Sequence, residues 1–320
     1  MSTALFRPSG PFSLASSARF LEGFTPASYA PASDGLLRLA FAADDGESVI
    51  GCAVRQGGAA GDRPGVVSAE FTVHRDGREV EARAGTRDHG AVRDQIGRIL
   101  SLDVDGTGFP ALADADPVVA GLQSAYPGLR PVLFHSPYEA AAWAVIGNRV
   151  RMSQAAALKA RLAREHGGAV DVAGRRLYAF PAPRVLRGLD RIDGLSGTRT
   201  ARLRALADAA LDGRLDASAL RAQPAASSLT DLRELPGVGP FSAELILIRG
   251  AGHPDVFPLT EPRLHRAVAT EYRLDPAAAD DPDRLARIAD AWRPYRSWVS
   301  LLLRVRAQER QEGTGHHVNM

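Results

Sequence analysis

Leu235-Pro-Gly-Val-Gly-Pro-Phe-Ser-Ala243 is the stretch on which the reading of this chain turns. It lies between a charged helical segment, Ser227 to Glu234, and an apolar one, Glu244 to Arg249, so Pro236-Gly237-Val238-Gly239 reads as a tight turn joining two helices. Glycines at 237 and 239 allow the backbone dihedrals such a turn needs and put no side chain between its amides and a ligand. Those amides open the second helix, whose N-terminal dipole favours an anion. The turn is therefore a candidate phosphate clamp of the kind that positions without reading sequence. A plain helical hairpin would carry the same letters.

Further matches flank the turn in order. Phe180-Pro-Ala-Pro183 and Gly194-Leu-Ser196 precede it; Arg249-Gly250, Asp255-Val-Phe-Pro258 and Trp292-Arg-Pro-Tyr-Arg-Ser297 follow. With the hairpin they resemble the helix-hairpin-helix DNA glycosylase superfamily, and within it the bacterial 3-methyladenine DNA glycosylase II branch, over roughly half the chain. The resemblance implies a protein of the cytoplasm, associated with the nucleoid when bound to double-stranded DNA and acting as a monomer.

At 320 residues the chain is expected to form two or three packed units. An apolar content of 45% marks it as globular, and no apolar run is long enough to span a bilayer. No leader pattern is seen at Met1. With Cys52 as its one cysteine the chain can form neither an intrachain disulfide nor a four-cysteine iron-sulfur cluster. A net charge of +2 does not announce nucleic acid, so a DNA face must come from local clustering. The positive charge is almost wholly arginine, Lys159 being the one lysine. Strand cleavage through a Schiff base needs an amine at the sugar. The superfamily's lysine position holds Phe241 here, so base removal without lyase activity is expected.

The expected fold class is α+β, an N-terminal antiparallel sheet layer with helices followed by an all-helical helix-hairpin-helix glycosylase region. Residues 1–90 form the first layer: a strand at Ala4 to Arg7, a helix carrying Leu14, Phe20, Leu21 and Phe24, then strands Leu36 to Ala42, Ser48 to Arg55, Val66 to His74 and Glu79 to Arg83. Asp45-Gly46 and Asp76-Gly77 mark turns, and Gly57 to Gly65 a mobile loop. Residues 91–310 read as helical, in two lobes of about 129–253 and 91–128 plus 254–310, with 311–320 a disordered tail. Short helices are read at Val92 to Leu100 and Pro117 to Tyr126, and one long helix over Pro137 to Arg164. A further helix, Thr198 to Leu211, turns Leu203 and Leu206 inward and Arg199, Arg202 and Arg204 outward.

The resemblance assigns the site residue by residue. Gly237, Val238, Gly239, Phe241 and Ser242 would hold DNA at the hairpin. Ile146-Gly-Asn-Arg-Val150 aligns with the run whose last residue fills the gap left by a flipped nucleotide, which makes Asn148 and Arg149 DNA contacts and Arg149 the plug. The family's catalytic aspartate falls at Glu261, one methylene longer, at the start of a helix beginning with Pro262. A carboxylate there stabilises the oxocarbenium-like state of glycosidic cleavage and orients water. An ordinary helix-capping acid is the alternative reading of Glu261. The base-pocket positions are Phe241, Leu245, Arg304 and Val305, aromatic only at the first. Arg304 would repel a cationic base if it faced the pocket. A monovalent Na+ or K+ on the backbone carbonyls of Arg233, Leu235 and Gly237 is implied; no other cofactor is required, and no zinc or divalent site is suggested. The implied function is monofunctional excision of an alkylated purine such as 3-methyladenine. A damage-binding protein without catalysis, or a glycosylase for deaminated or oxidised bases, are the alternatives.

Overall fold

The structure of the protein is a computed structural model that describes residues 1–23, 29, 34–58 and 64–316, with side chains to Gln311. Strands β1 (Ser2–Phe6), β2 (Leu37–Ala42), β3 (Val49–Gln56), β4 (Val67–Arg75) and β5 (Arg78–Val80) make one antiparallel sheet of order β1-β4-β3-β2, with β5 paired to β4. Alternation sets the register. Ile50 lies opposite Phe41 and Val73, and Cys52 opposite Leu39 and Phe71. This apolar face buries Leu14 and Leu21 of α1 (Leu14–Gly23) and Val92, Ile96 and Ile99 of α2 (Arg87–Ile99). The sheet's packing unit thus takes in α2. Phe24 and most of the Gly57 to Gly65 loop lie outside the described residues.

The other face is covered by a hairpin that sequence analysis does not anticipate, β6 (Ala169–Val172) and β7 (Arg175–Tyr178). Its turn, Ala173-Gly174, has both residues at positive φ, the geometry that matches strand twist. Val170 and Val172 pack on Leu36 and Ala53. Strands of four residues carry too little periodicity to stand out against the helix before them.

Helices α3 (Leu112–Ala115) and α4 (Pro117–Ala125) lead into the largest departure from expectation. The long helix read over Pro137 to Arg164 is two helices, α5 (Pro137–Gly147) and α6 (Met152–His166). The chain reverses at Asn148, which is extended, and Arg149, whose φ of 54° is left-handed. Apolar spacing is kept on both sides of the break, so periodicity does not register it. Then follow α7 (Pro183–Leu186), α8 (Gly197–Leu211), α9 (Ala217–Ala222), α10 (Ala225–Arg233), α11 (Pro240–Leu245), α12 (Pro262–Glu271), α13 (Pro282–Ala289) and α14 (Arg296–His316). Helix α11 passes directly into a π-helical turn, Ile246–Gly250. Helix α14 runs into the stretch expected to be a disordered tail, and residues 317–320 lie outside the described set.

Two helical cores result. One gathers Tyr138, Ile146, Leu203, Leu232, Leu235 and Ile246; the other joins Leu122 to Phe257, Leu264, Trp292, Trp298 and Leu302. The buried guanidinium of Arg98 on α2 ties the sheet to the first core, donating to the carbonyls of Gly250 (2.9 Å) and His135 (3.2 Å) and pairing with Asp44 (2.6 Å). Gly250 must lack a side chain, because a Cβ would lie 2.8 Å from the Cα of Pro137. Replacing Arg98 with Met takes a donor from the Gly250 carbonyl and the partner from the Asp44 carboxylate, while His135 O keeps its bond from Gln95, and is expected to lower unfolding free energy by about 3 kcal/mol in urea titrations.

Candidate active site

At the hairpin the two glycines have different tasks. Gly237 has φ of 87°, which only glycine adopts without strain, and a Cβ there would meet the Arg202 side chain at 2.8 Å. Gly239 is extended, with open space around its Cα. Its freedom is not conformational, as the sequence suggests, but steric: it keeps the approach to α11 clear. Val238, expected at the DNA face, is buried, and its N–H donates to Leu235 O at 3.0 Å. It anchors the turn. Since Pro240 has no N–H and the first intrahelical bond is Ala243 N to Gly239 O, the amides of Phe241 and Ser242 head the helix without an intrahelical partner. The Phe241 ring is 51% exposed.

Downstream, a residue that sequence analysis passes over fixes the geometry. Glu244 on α11 is 5% exposed, and its carboxylate accepts from the amides of Leu259 (2.9 Å) and Thr260 (3.1 Å) and from the Thr260 hydroxyl. His265 adds a hydrogen bond to Pro258 O at 2.9 Å. The hairpin helix thus grips the loop immediately before Glu261. A carboxylate inside an apolar helix was the available signal.

Glu261 occupies the N-cap position of α12, yet its side chain makes no capping bond. Its carboxylate meets Arg304 Nε of α14 at 2.5 Å, with both side chains about three-quarters buried. The helix-capping reading therefore fails. Arg249 is also close enough for Glu261's charge to act on it; burial pushes the Arg249 guanidinium down to about 10, and Glu261 offsets part of that.

Glu261 and Arg304 share one cleft of about 570 Å³ with Phe241, Leu245 and Val305. The position-by-position expectation of an aromatic-poor pocket is corrected here, because Phe20, Phe134 and Trp143 also line it. They come from α1, the segment before α5, and α5, and so escape alignment with the family's positions. The cleft has an aromatic wall and, on α12 and α14, a charged one.

Asn148 and Arg149 are exposed at the break between α5 and α6, and residues on either side, Trp143 and Met152, line the same cleft. Arg199 of α8 donates to Asn148 O at 2.5 Å, and Arg202 packs on Gly237. Arg204 bonds Arg187 O and Asp190. The arginines of α8 are thus not a merely solvated face. Lys159 lies elsewhere, 2.6 Å from Glu139 in a buried cluster with His135 that borders another cavity. Among the described residues no group of His, Cys, Asp or Glu could hold a metal ion, and no helix is long and apolar enough to cross a membrane.

Sheet layer, two helical cores and a cleft beside a hairpin make a fold shared with solved DNA glycosylases. Among solved structures, 3-methyladenine DNA glycosylase from Archaeoglobus fulgidus superposes with a TM-score of 0.72 at 20% identity, covering 95% of this chain and 97% of that one. A structure titled MBOgg1 in complex with a low-affinity DNA ligand gives 0.67 at 18% identity, covering 97% of each. No family model matches the chain. In sequence the chain is similar to the DNA-3-methyladenine glycosylase of Bacillus subtilis, 23% identical over 214 residues, 64% of this chain and 68% of that protein. It is 32% identical over 213 residues to a probable bifunctional transcriptional activator/DNA repair enzyme AlkA of Mycobacterium tuberculosis, 63% of this chain but 40% of that protein. The DNA-3-methyladenine glycosylase 2 of Escherichia coli is 28% identical over 56% of this chain and 61% of its own length. These relatives bear out the resemblance read from the motifs.

If Glu244 holds the loop, Glu244→Gln, which replaces one acceptor oxygen with a donor, speeds amide exchange at Leu259 and Thr260 by about tenfold or more while leaving exchange in β3 and β4 unchanged. Gly237→Ala is expected to cost about 1–2 kcal/mol of stability, read from the unfolding midpoint.

Proposed function

We propose that this chain is a monofunctional DNA glycosylase that hydrolyses the N-glycosidic bond of a flipped, altered purine, alkylated purines among them. The observation that carries the reading is the carboxylate of Glu261, which stands at a helix head without capping it and lines the cleft beside the hairpin. An extruded base in this cleft has Phe134, Trp143 and Phe241 for stacking. As the C1′–N bond breaks, its electron pair leaves with the base, and Glu261 stabilises the positive charge on the sugar. Water then adds at C1′ and gives a proton to the carboxylate, and a base that was uncharged in DNA, leaving as an anion, takes a proton from solvent.

Other residues position the substrate. Amides of Phe241 and Ser242, with Gly239 leaving the approach open, bind a phosphate of double-stranded DNA. Arg149, on an exposed left-handed turn, enters the duplex in place of the flipped nucleotide, and Asn148 lies beside it. Carbonyls of Arg233, Leu235 and Gly237 would hold the monovalent cation. Among the turn bonds of the described residues, Leu235 O accepts the Val238 amide, which leaves it a second lone pair for the ion. The ion would add positive charge at the phosphate. Strand cleavage is not part of this activity, since the chain's one lysine is engaged with Glu139 on another cavity. A monomer in the cytoplasm, on the nucleoid when bound, suits this task.

Release of free base from methylated duplex DNA tests the reading. Glu261→Gln is expected to reduce single-turnover release by at least about 100-fold with duplex affinity kept, and Glu261→Asp to retain release. A wild type that binds the duplex and releases no base, with Glu261→Asp equally silent, overturns the reading for alkylated purines.

A further inference from the structure

The pairing of Glu261 with Arg304 bears on which bases the cleft accepts, and the inference rests on the excision reading above. One carboxylate here faces two guanidiniums: Arg304 through its Nε at 2.5 Å, and Arg249, on which Glu261's charge acts. Arg249 is fixed, donating to Val132 O at 2.7 Å and lying 5.2 Å from the centre of the Phe20 ring. Glu244, the other acid of the lining, is committed to the amides of Leu259 and Thr260. Arg263 adds an exposed positive charge at the rim. Among the described lining residues, the three arginines exceed the two carboxylates by one. A base carrying its own positive charge enters against that excess, beside an ion pair about three-quarters buried. An uncharged base meets no such penalty, and an exocyclic oxygen on it finds the N–H donors of a guanidinium, which has five.

We propose that Arg304 is a positioning and specificity-determining residue: it holds Glu261 at the sugar and makes the cleft prefer uncharged altered purines to cationic ones. The aromatic wall serves both kinds of base, so the discrimination lies on α14. Arginine at this position also compensates for the longer acid, since the pair fixes a carboxylate that the helix head does not.

The test is single-turnover release of two bases from otherwise identical duplexes, 7-methylguanine, which is cationic in DNA, and hypoxanthine, which is not. Arg304→Gln removes the charge and Arg304→Lys keeps it. Both variants are expected to release base more slowly, because the fixed pairing geometry is lost. In Arg304→Gln the ratio of 7-methylguanine to hypoxanthine release is expected to rise about tenfold, and in Arg304→Lys to stay within about twofold of wild type. An unchanged ratio in the Gln variant, with release of both bases still measurable, overturns the charge discrimination alone. A ratio that rises equally in the Lys variant overturns it too, since shape and not charge is then responsible. Release of neither base by the unaltered protein overturns the excision reading and this inference with it.

Discussion

A single buried carboxylate, that of Glu244, makes the site one object. It belongs to the helix that the hairpin turn opens, and it spends its oxygens on the two amides that precede Glu261. A buried acid is tolerated only where donors surround it, and here the donors are the backbone of the loop that delivers the candidate catalytic group. Hairpin and acid are thereby held at one separation. The sheet is bound to the same assembly through Arg98, whose guanidinium reaches the carbonyl at the end of the π-helical turn.

The cleft's two walls differ because they come from different cores. Trp143 and Phe134 project from the core built on α5, α8 and α11, whereas Arg304 and Glu261 stand on helices of the core around Trp292 and Trp298. The Glu261–Arg304 pair thus comes from the second core, while Glu244 and Arg249 of the first reach the same cleft, and Glu244 couples the two walls through the loop before Glu261.

Much of this was legible in the chain. The hairpin and the sheet with its Asp-Gly turns follow from local spacing, and the cleft company of Phe241, Leu245, Glu261 and Arg304 from the resemblance that the ordered motifs carry. What was not legible has a common cause. The reversal at Arg149 changes one backbone angle without disturbing the apolar period, and the aromatic wall is assembled from residues far apart in sequence. The ion pair of Glu261 with Arg304 links positions separated by most of a lobe. Such pairings exist only once the two cores have met. Val238 is the reverse case: the resemblance set it among the DNA contacts, while its apolar side chain is drawn into the core.

Helix α8 gives these separate parts a fixed measure. Arg199 and Arg202 lie three residues apart on one side of it, about 4.5 Å along the axis, and they touch the two elements assigned to the duplex, the carbonyl before Arg149 and the bend at Gly237. The helix therefore works as a caliper. On the proposed reading, its jaws would set how far the phosphate site at the hairpin lies from the turn at Arg149. A single residue added between the jaws would turn one of them by about 100° around the axis and leave the other in place, so that distance depends on a helix that need not touch the base.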